Sequence, residues 1–211
     1  MMSAMDPPLH ERVYEGLKAD YLAGHFVPGK KIDIQELATR HRSSKTPVRE
    51  AAFIMVGERL FTHHADGGFL VPILEPADLI DLLEWHMQLM LSLLPSLRES
   101  AVRNALQQSR LGNESLSPVS VATLATNIFA SLAAATGNRK TAYEVRRLNE
   151  SLHYSRIAAA TNPVAHRREL ATIARLEVEN LPKAVRRRIE AYHLRKIDHL
   201  RKISLSSPPQ V

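Results

Sequence analysis

Apolar side chains recur at helical spacing over residues 9–24, where Val13, Leu17, Tyr21 and Leu22 fall on one stripe that ends at Gly24. Pro28-Gly29 then marks a turn. Asp33 stands where its carboxylate can cap a short helix over IQELATRH. A polar break, Arg42-Ser43-Ser44, precedes a third helical run, TPVREAAFIMVGERL. Pro47 is tolerated there because it falls in the first turn, where a backbone N–H has no partner inside the helix. Two short apolar runs follow and flank Ala65-Asp66-Gly67-Gly68, the pattern of a β-hairpin with a glycine-rich tip.

Three helices and a hairpin, in that order, make a winged helix-turn-helix. From Glu75-Pro76 to about residue 203 no strand pattern returns. DLIDLLEWHMQLMLSLLPSL, VSVATLATNIFASLAAAT, TAYEVRRLNESLHYSRIAAAT, VAHRRELATIARLEVEN and KAVRRRIEAYHLRKIDHLRKI all carry helical periodicity. Breaks at Pro95, Pro118, Gly137, Pro163 and Pro182 separate them. The expected fold is mainly α: a winged helix-turn-helix over residues 1–74, an all-α helical bundle over 75–203, and a disordered proline-containing tail over 204–211. Trp85, Met87 and Met90 in WHMQLMLSLL read as bundle core, with a dimer face or pocket wall as the alternative.

Composition narrows the class without naming it. No apolar run approaches the roughly 20 residues that span a bilayer, and MMSAMDPPLHER lacks the pattern of a secretory signal. Zero cysteines remove disulfides and thiolate metal sites. A cytoplasmic protein without membrane association is expected. The net charge of +6 is unevenly spread. Residues 1–72 carry nine basic and nine acidic side chains, so the head is neutral overall. Within it, however, Arg40, Arg42, Lys45 and Arg49 form a run of four cations with no acid between them. Such a local face can hold phosphates even on a neutral domain.

VYEGLKADYLAGHFVPGKKIDIQELATRHRSSKTPVREAA, closed by LFTHHADGGFLV, resembles the N-terminal domain of GntR-type bacterial transcription regulators. The specific elements are the Pro-Gly entry, the ELA of the second helix, TPVREA and the glycine-rich wing. The helical remainder resembles the FCD ligand-binding domain of the FadR-like branch, through its helical periodicity, LNESLHYSRIAAATNP and EAYHLRKIDHL. In that family the start of the third helix reads bases in the major groove, and nearby arginines and the hairpin tip hold the backbone. Carried onto this chain, the DNA-binding residues are Arg40, Arg42, Ser44 (as N-cap), Lys45, Thr46, Arg49, His64 and Gly67. Lys45 and Arg49 lie one turn apart and project from one face, and such side chains can donate to guanine O6 and N7. Two departures stand out. Where the family usually has Leu-Gly-Val-Ser before the recognition helix, this chain has His41-Arg42-Ser43-Ser44, which predicts a less well-packed turn. Arg59 stands where a glycine commonly precedes the first wing strand.

Many FCD domains hold a divalent metal (Zn, Ni or Mn are the candidates) with an aspartate four residues before a histidine and further histidines on later helices. The resemblance places Asn149, His153 and His193 at such positions, with a neutral amide where the aspartate would be. The helix that usually bears the last histidine has no counterpart, so either the domain is shortened or His199 or His166 substitutes. The family's effectors are often small carboxylates, and Arg146, Arg147 and Arg156 border the same segment; Arg146 and Arg156 are the expected effector contacts. The stretch 183–202, with eight basic and two acidic residues, reads as a solvated helix face.

These readings converge on a homodimeric transcription regulator, a repressor, that binds double-stranded DNA and answers to a carboxylate effector. Two alternatives remain at this stage. One is a degenerate winged-helix interaction module with no effector response. The other is a metal-dependent hydrolase, against which stands the lack of a nucleophile–base pair, an HExxH motif or a phosphate-binding glycine loop.

Overall fold

The computed structural model describes residues 8–109 and 116–206. The chain divides between Ile73 and Leu74 into two compact units. In the first, α1 (Leu9–Leu22), α2 (Ile34–Arg40) and α3 (Lys45–Gly57) are followed by β1 (Thr62–His63) and β2 (Phe69–Leu70). The strands pair antiparallel with Thr62 opposite Leu70 and His63 opposite Phe69, and Lys31 forms an isolated bridge to Leu70. The wing is thus two residues long on each side, with a third edge supplied by the segment after the Pro-Gly turn.

Local sequence explains each element. Asp33 caps α2 by accepting from the backbone N–H groups of Gln35 (2.8 Å) and Glu36 (3.1 Å), a cap worth about 1 kcal/mol. Val13, Leu17 and Tyr21 of α1 pack inward with Val48, Ala52 and Met55 of α3, all nearly solvent-free. Each large side chain buried this way stabilises by about 1.5–3 kcal/mol. Glu58, just past α3, accepts from the Tyr14 hydroxyl and from Lys18 Nζ, both at 2.6 Å, which ties the end of α3 to α1. Helix α3 stops at Gly57, and Arg59 takes the left-handed conformation (φ +63°). Glycine adopts that conformation without penalty; an arginine there is strained.

The second unit comprises α4 (Pro76–Leu93), a 3-10 turn at Leu94–Ser96, α5 (Glu99–Gln108), α6 (Pro118–Ala134), α7 (Arg139–Ser151), α8 (His153–Ala159), α9 (Pro163–Ile173) and α10 (Leu181–Ser206). Helix α6 buries Val121, Ala125, Ile128, Phe129 and Leu132 and packs against α5, α7, α8 and α9. Apolar on most sides, it sits at the centre of the unit. Helix α10 lies along α4. Asn138 and Asn162 cap α7 and α9, and Ser117 with Ser120 forms a reciprocal capping box on α6.

Four details differ from the periodicity reading. Helix α5, with Val102, Ala105 and Leu106 inward, was not among the expected segments, because its apolar stripe is only three residues deep. The stretch expected as one helix across 141–161 divides at Leu152, which closes α7 and opens α8. Helix α10 continues through Ser206, past the expected end at 203, so the tail expected from 204 begins as helix and its remainder lies outside the described residues. In α4, Met90 is fully buried while Trp85 is half exposed, so WHMQLMLSLL is core on one side only.

Candidate functional site

The exposed end of α3 is built by the turn that leads into it. Arg42 takes φ +49°, the left-handed conformation that closes the α2–α3 connection. Its N–H reaches Thr39 O (3.2 Å), and Ser43 N–H reaches Ala38 O (2.9 Å). The loss of apolar side chains here predicts loose packing, but the structure fills the space differently. His41 folds inward against Gly16, where an added Cβ would come within 2.6 Å of its ring. Its Nε2 lies 3.0 Å from Asp20 Oδ2. Asp20, itself buried, also meets Arg40 Nη1 (3.1 Å) and His25 Nδ1 (3.2 Å). A polar hub on α1 therefore packs the turn. Burial alone would raise the Asp20 carboxyl, but hydrogen bonds from His41, His25 and Arg40 outweigh it and hold the group below its ordinary value.

On this support, Ser44, Lys45, Thr46 and Arg49 are all exposed at the start of α3. Ser44 occupies the N-cap position with extended backbone, but its side chain accepts no cap hydrogen bond, so the expected capping is not made. The N-terminal amides of α3 consequently keep no side-chain partner from the cap, and the helix dipole adds to their pull on an anion. Arg42 is exposed beside them. Arg40, expected among the DNA contacts, is committed elsewhere: Nη1 to Asp20 and Nη2 to Glu36 Oε1 at 2.6 Å.

The wing lies next to α3. Lys45, Arg49 and Phe53 face Lys31, Gln35, His63, Gly67 and Gly68 across one open groove of about 680 Å³. Phe53 packs edge-on against Phe69 (5.0 Å between centroids) and close to His63 (5.8 Å), which fixes the helix to the wing base. At the wing tip, Asp66 N–H donates to His64 Nδ1 (3.0 Å), so His64 is held as an acceptor on that side. Gly67 and Gly68 take φ +76° and +91°, as the tight tip requires. Lys31 Nζ donates to Asp66 O at 3.2 Å. Lys31, Gln35 and His63 were missed from the sequence. Lys31 carried a signal, since it follows the Pro-Gly turn that returns the chain to the wing; Gln35 and His63 carried none.

In the second unit, Asn149, His153 and His193 are all buried. His193 Nδ1 donates to Ile189 O (2.7 Å), which leaves its Nε2 as the acceptor for His86 Nδ1 at 2.8 Å. His86, on α4, is fully buried and lies 107 positions away in sequence, which hid it from motif reading. Burial pushes His86 well below the usual imidazole range; His193 and Arg156 push the same way, and Asn149 pushes back. Burial also lowers His193 to about 4, with Ile189 O opposing and Arg156 and Lys196 adding to the fall. Both rings are neutral near pH 7.

Asn149 Oδ1 accepts from Arg156 Nη1 at 2.8 Å, and the same nitrogen meets Thr126 Oγ1 at 3.3 Å. Arg156 lies over the Phe129 ring, 5.4 Å from its centroid, and lines a cavity of about 510 Å³ with Leu79, Leu83, Leu152, Leu170 and Tyr192. Of the other arginines near this segment, Arg146 is exposed over Tyr143 and Arg147 is half-buried against the same ring. Neither lines the cavity. His166 and His199 reach its wall, where Glu169 pairs with Arg195 (2.8 Å) and Lys196 (3.5 Å). Among the described residues, no three His, Cys, Asp or Glu side chains are grouped so as to hold a metal ion.

Comparison with known proteins follows the same division. Residues 9–71 match the profile of bacterial regulatory proteins of the gntR family. The Nta operon transcriptional regulator of Aminobacter aminovorans is 39% identical over 85 residues, 40% of this chain and 37% of that relative. The match thus spans little over a third of the curated relative's length. A solved structure described as a GntR transcriptional regulator of Rhodococcus sp. RHA1 superposes with TM-score 0.71 at 17% identity, covering 94% of this chain and 99% of that one. McbR/YncC of E. coli gives TM-score 0.70 at 18% identity, over 97% and 100%. At these identities the two structures speak for the fold of both units.

Proposed function

We propose that this chain, whose residues 9–71 form a winged-helix domain of the GntR family, is a DNA-binding transcription regulator controlled by a small molecule. The observation that carries the reading is the exposed pair Lys45 and Arg49 on the first turns of α3, facing the wing across an open groove. The head is otherwise neutral, so its cations are concentrated where a recognition helix needs them. In this reading Arg49 and Lys45 donate to base edges, Arg42 and the α3 amides to phosphate, and the wing tip at His64 and Gly67 with Lys31 to the flanking backbone.

The helical unit is the sensor, an FCD-type domain that pairs two chains. A dimer places two recognition helices on half-sites one helical turn apart. An effector that favours one arrangement of the helical units shifts that spacing and releases the operator, making the protein a cytoplasmic repressor. The coupling this requires is ~1–3 kcal/mol. No helix among the described residues is long and apolar enough to cross a membrane.

The test is a genomic pull-down with purified protein. Recovery of a small set of fragments sharing a two-fold symmetric site supports the reading. Recovery no better than with the Lys45→Ala/Arg49→Ala variant refutes it, and leaves a winged helix that serves protein contacts.

A further inference from the structure

Phe53 is 57% exposed, yet its ring is held in place. It packs edge-on against Phe69, with centroids 5.0 Å apart, and lies 5.8 Å from the His63 ring. Phe69 and His63 are themselves 5.6 Å apart, so the rings brace one another at the base of the wing. Fastening the helix to the wing accounts for the covered part of Phe53 and leaves the exposed part without a role. A single apolar side chain at a surface is ordinary, but the position of this one is not. Lys45, Arg49 and Phe53 follow one another at intervals of four residues along α3, all exposed, and line the same open groove of about 680 Å³. The apolar ring therefore extends the row of donors assigned to base edges, on the same face of the helix.

The major-groove edge of DNA says what such a ring can meet. Guanine, cytosine and adenine present hydrogen-bonding groups there, and thymine alone carries an apolar group, its C5-methyl. A phenyl ring set against N7, O6 or N4 would strand a polar group without a partner. Set against a methyl, it takes two apolar surfaces out of water. With a rise of about 1.5 Å per residue, Phe53 stands about 6 Å further along α3 than Arg49, roughly two base-pair steps at about 3.4 Å each. Because its ring is already braced, contact costs little side-chain freedom.

We propose that Phe53 is a specificity-determining residue that selects thymine by packing on its C5-methyl, about two base pairs from the position that Arg49 reads. The inference rests on the assignment of the α3 groove as the DNA-reading surface.

The experiment uses the full-length protein and the shortest duplex from the genomic pull-down that it still binds, synthesised with each thymine replaced in turn by deoxyuridine. That change deletes the methyl and keeps every hydrogen-bonding group. At one thymine or more, the replacement should weaken wild-type binding ~4-fold, the worth of one methyl taken out of water. In Phe53→Ala the same replacement should cost nothing. Phe53→Gln, which puts a polar amide where the ring stood, should lose the penalty as well, and it decides the matter should Phe53→Ala fail to fold. The slope of log K against log salt should be equal in wild type and variants, since no phosphate contact is removed. A ring that only braces the wing gives a different pattern: the variants weaken every duplex alike, and the deoxyuridine penalty stays. That pattern, or a wild type indifferent to every methyl, overturns the proposal. Specific, salt-dependent binding without methyl sensitivity sinks this proposal alone, whereas the absence of any specific binding sinks the reading beneath it and this proposal with it.

Discussion

Replacing Asp20 by alanine removes the acceptor that packs the α2–α3 turn. The three partners lost are unequal. His41 has a side chain only 15% exposed, so it cannot recover its bond from water. Arg40 and His25 are 39% and 52% exposed and can. The His41 contact therefore dominates, at ~1–3 kcal/mol for a buried group left unsatisfied, and the two outer pairs add at most ~1 kcal/mol together. The chain has one tryptophan, Trp85, on α4, so its fluorescence follows the helical unit while far-UV circular dichroism follows both. Urea unfolding of Asp20→Ala should lower the dichroism midpoint of the N-terminal unit and leave the Trp85 transition in place. Adding His41→Leu removes the stranded donor and restores apolar packing, so the double variant should recover most of the loss, with a coupling of ~1–2 kcal/mol. Simple addition of the two single effects, or no effect of Asp20→Ala, would refute the hub. Acid tests the same contact. The folded Asp20 carboxyl titrates below its ordinary 3.8, so its contribution is complete above that value and is lost as pH falls through the lower, folded one. The N-terminal unit should therefore lose stability below about pH 4, and Asp20→Asn should flatten that part of the curve.

Two further substitutions test backbone and close packing. Arg59→Gly relieves the left-handed residue after α3 (φ +63°) and should raise the N-terminal unit's stability by ~0.5–1 kcal/mol in denaturant unfolding; a decrease would mean that the arginine side chain contributes more than its strain costs. Gly16→Ala places a Cβ within 2.6 Å of the His41 ring and should cost ~1–3 kcal/mol by the same assay, with the loss suppressed in a His41→Ala background.

How much of this was legible in the sequence depends on the range of the signal. Turns, caps and stripes are local, so Asp33, Pro47 and the glycine-rich wing declared the head, and helical periodicity declared the bundle. The TPVREA helix placed Lys45, Thr46 and Arg49 on the exposed face where the structure has them. What escaped was chemistry between distant segments. The turn HRSS looks under-packed until Asp20, 21 residues earlier, is seen beside His41. Arg40 belongs by position to the basic cluster, yet that same carboxylate holds it. His86 and His193 meet across 107 positions with no shared motif, and Arg146 and Arg156 look equivalent in sequence although only Arg156 turns inward. Periodicity sorts side chains into faces, but it does not say which buried polar groups share a pocket.

The most direct test of the central claim is the salt dependence of DNA binding. Once a bound fragment is in hand, fluorescence anisotropy from 50 to 300 mM salt measures how many phosphates the protein engages. A steep linear fall of log K with log salt is expected, and replacing a cation that contacts phosphate should make the slope shallower by about one. Arg42→Ala should behave so, while Lys45→Ala and Arg49→Ala should cost ~1–3 kcal/mol each and relax sequence preference. Affinity that is flat with salt, or unchanged in all three variants, would contradict the assignment of the α3 groove as the DNA-reading surface.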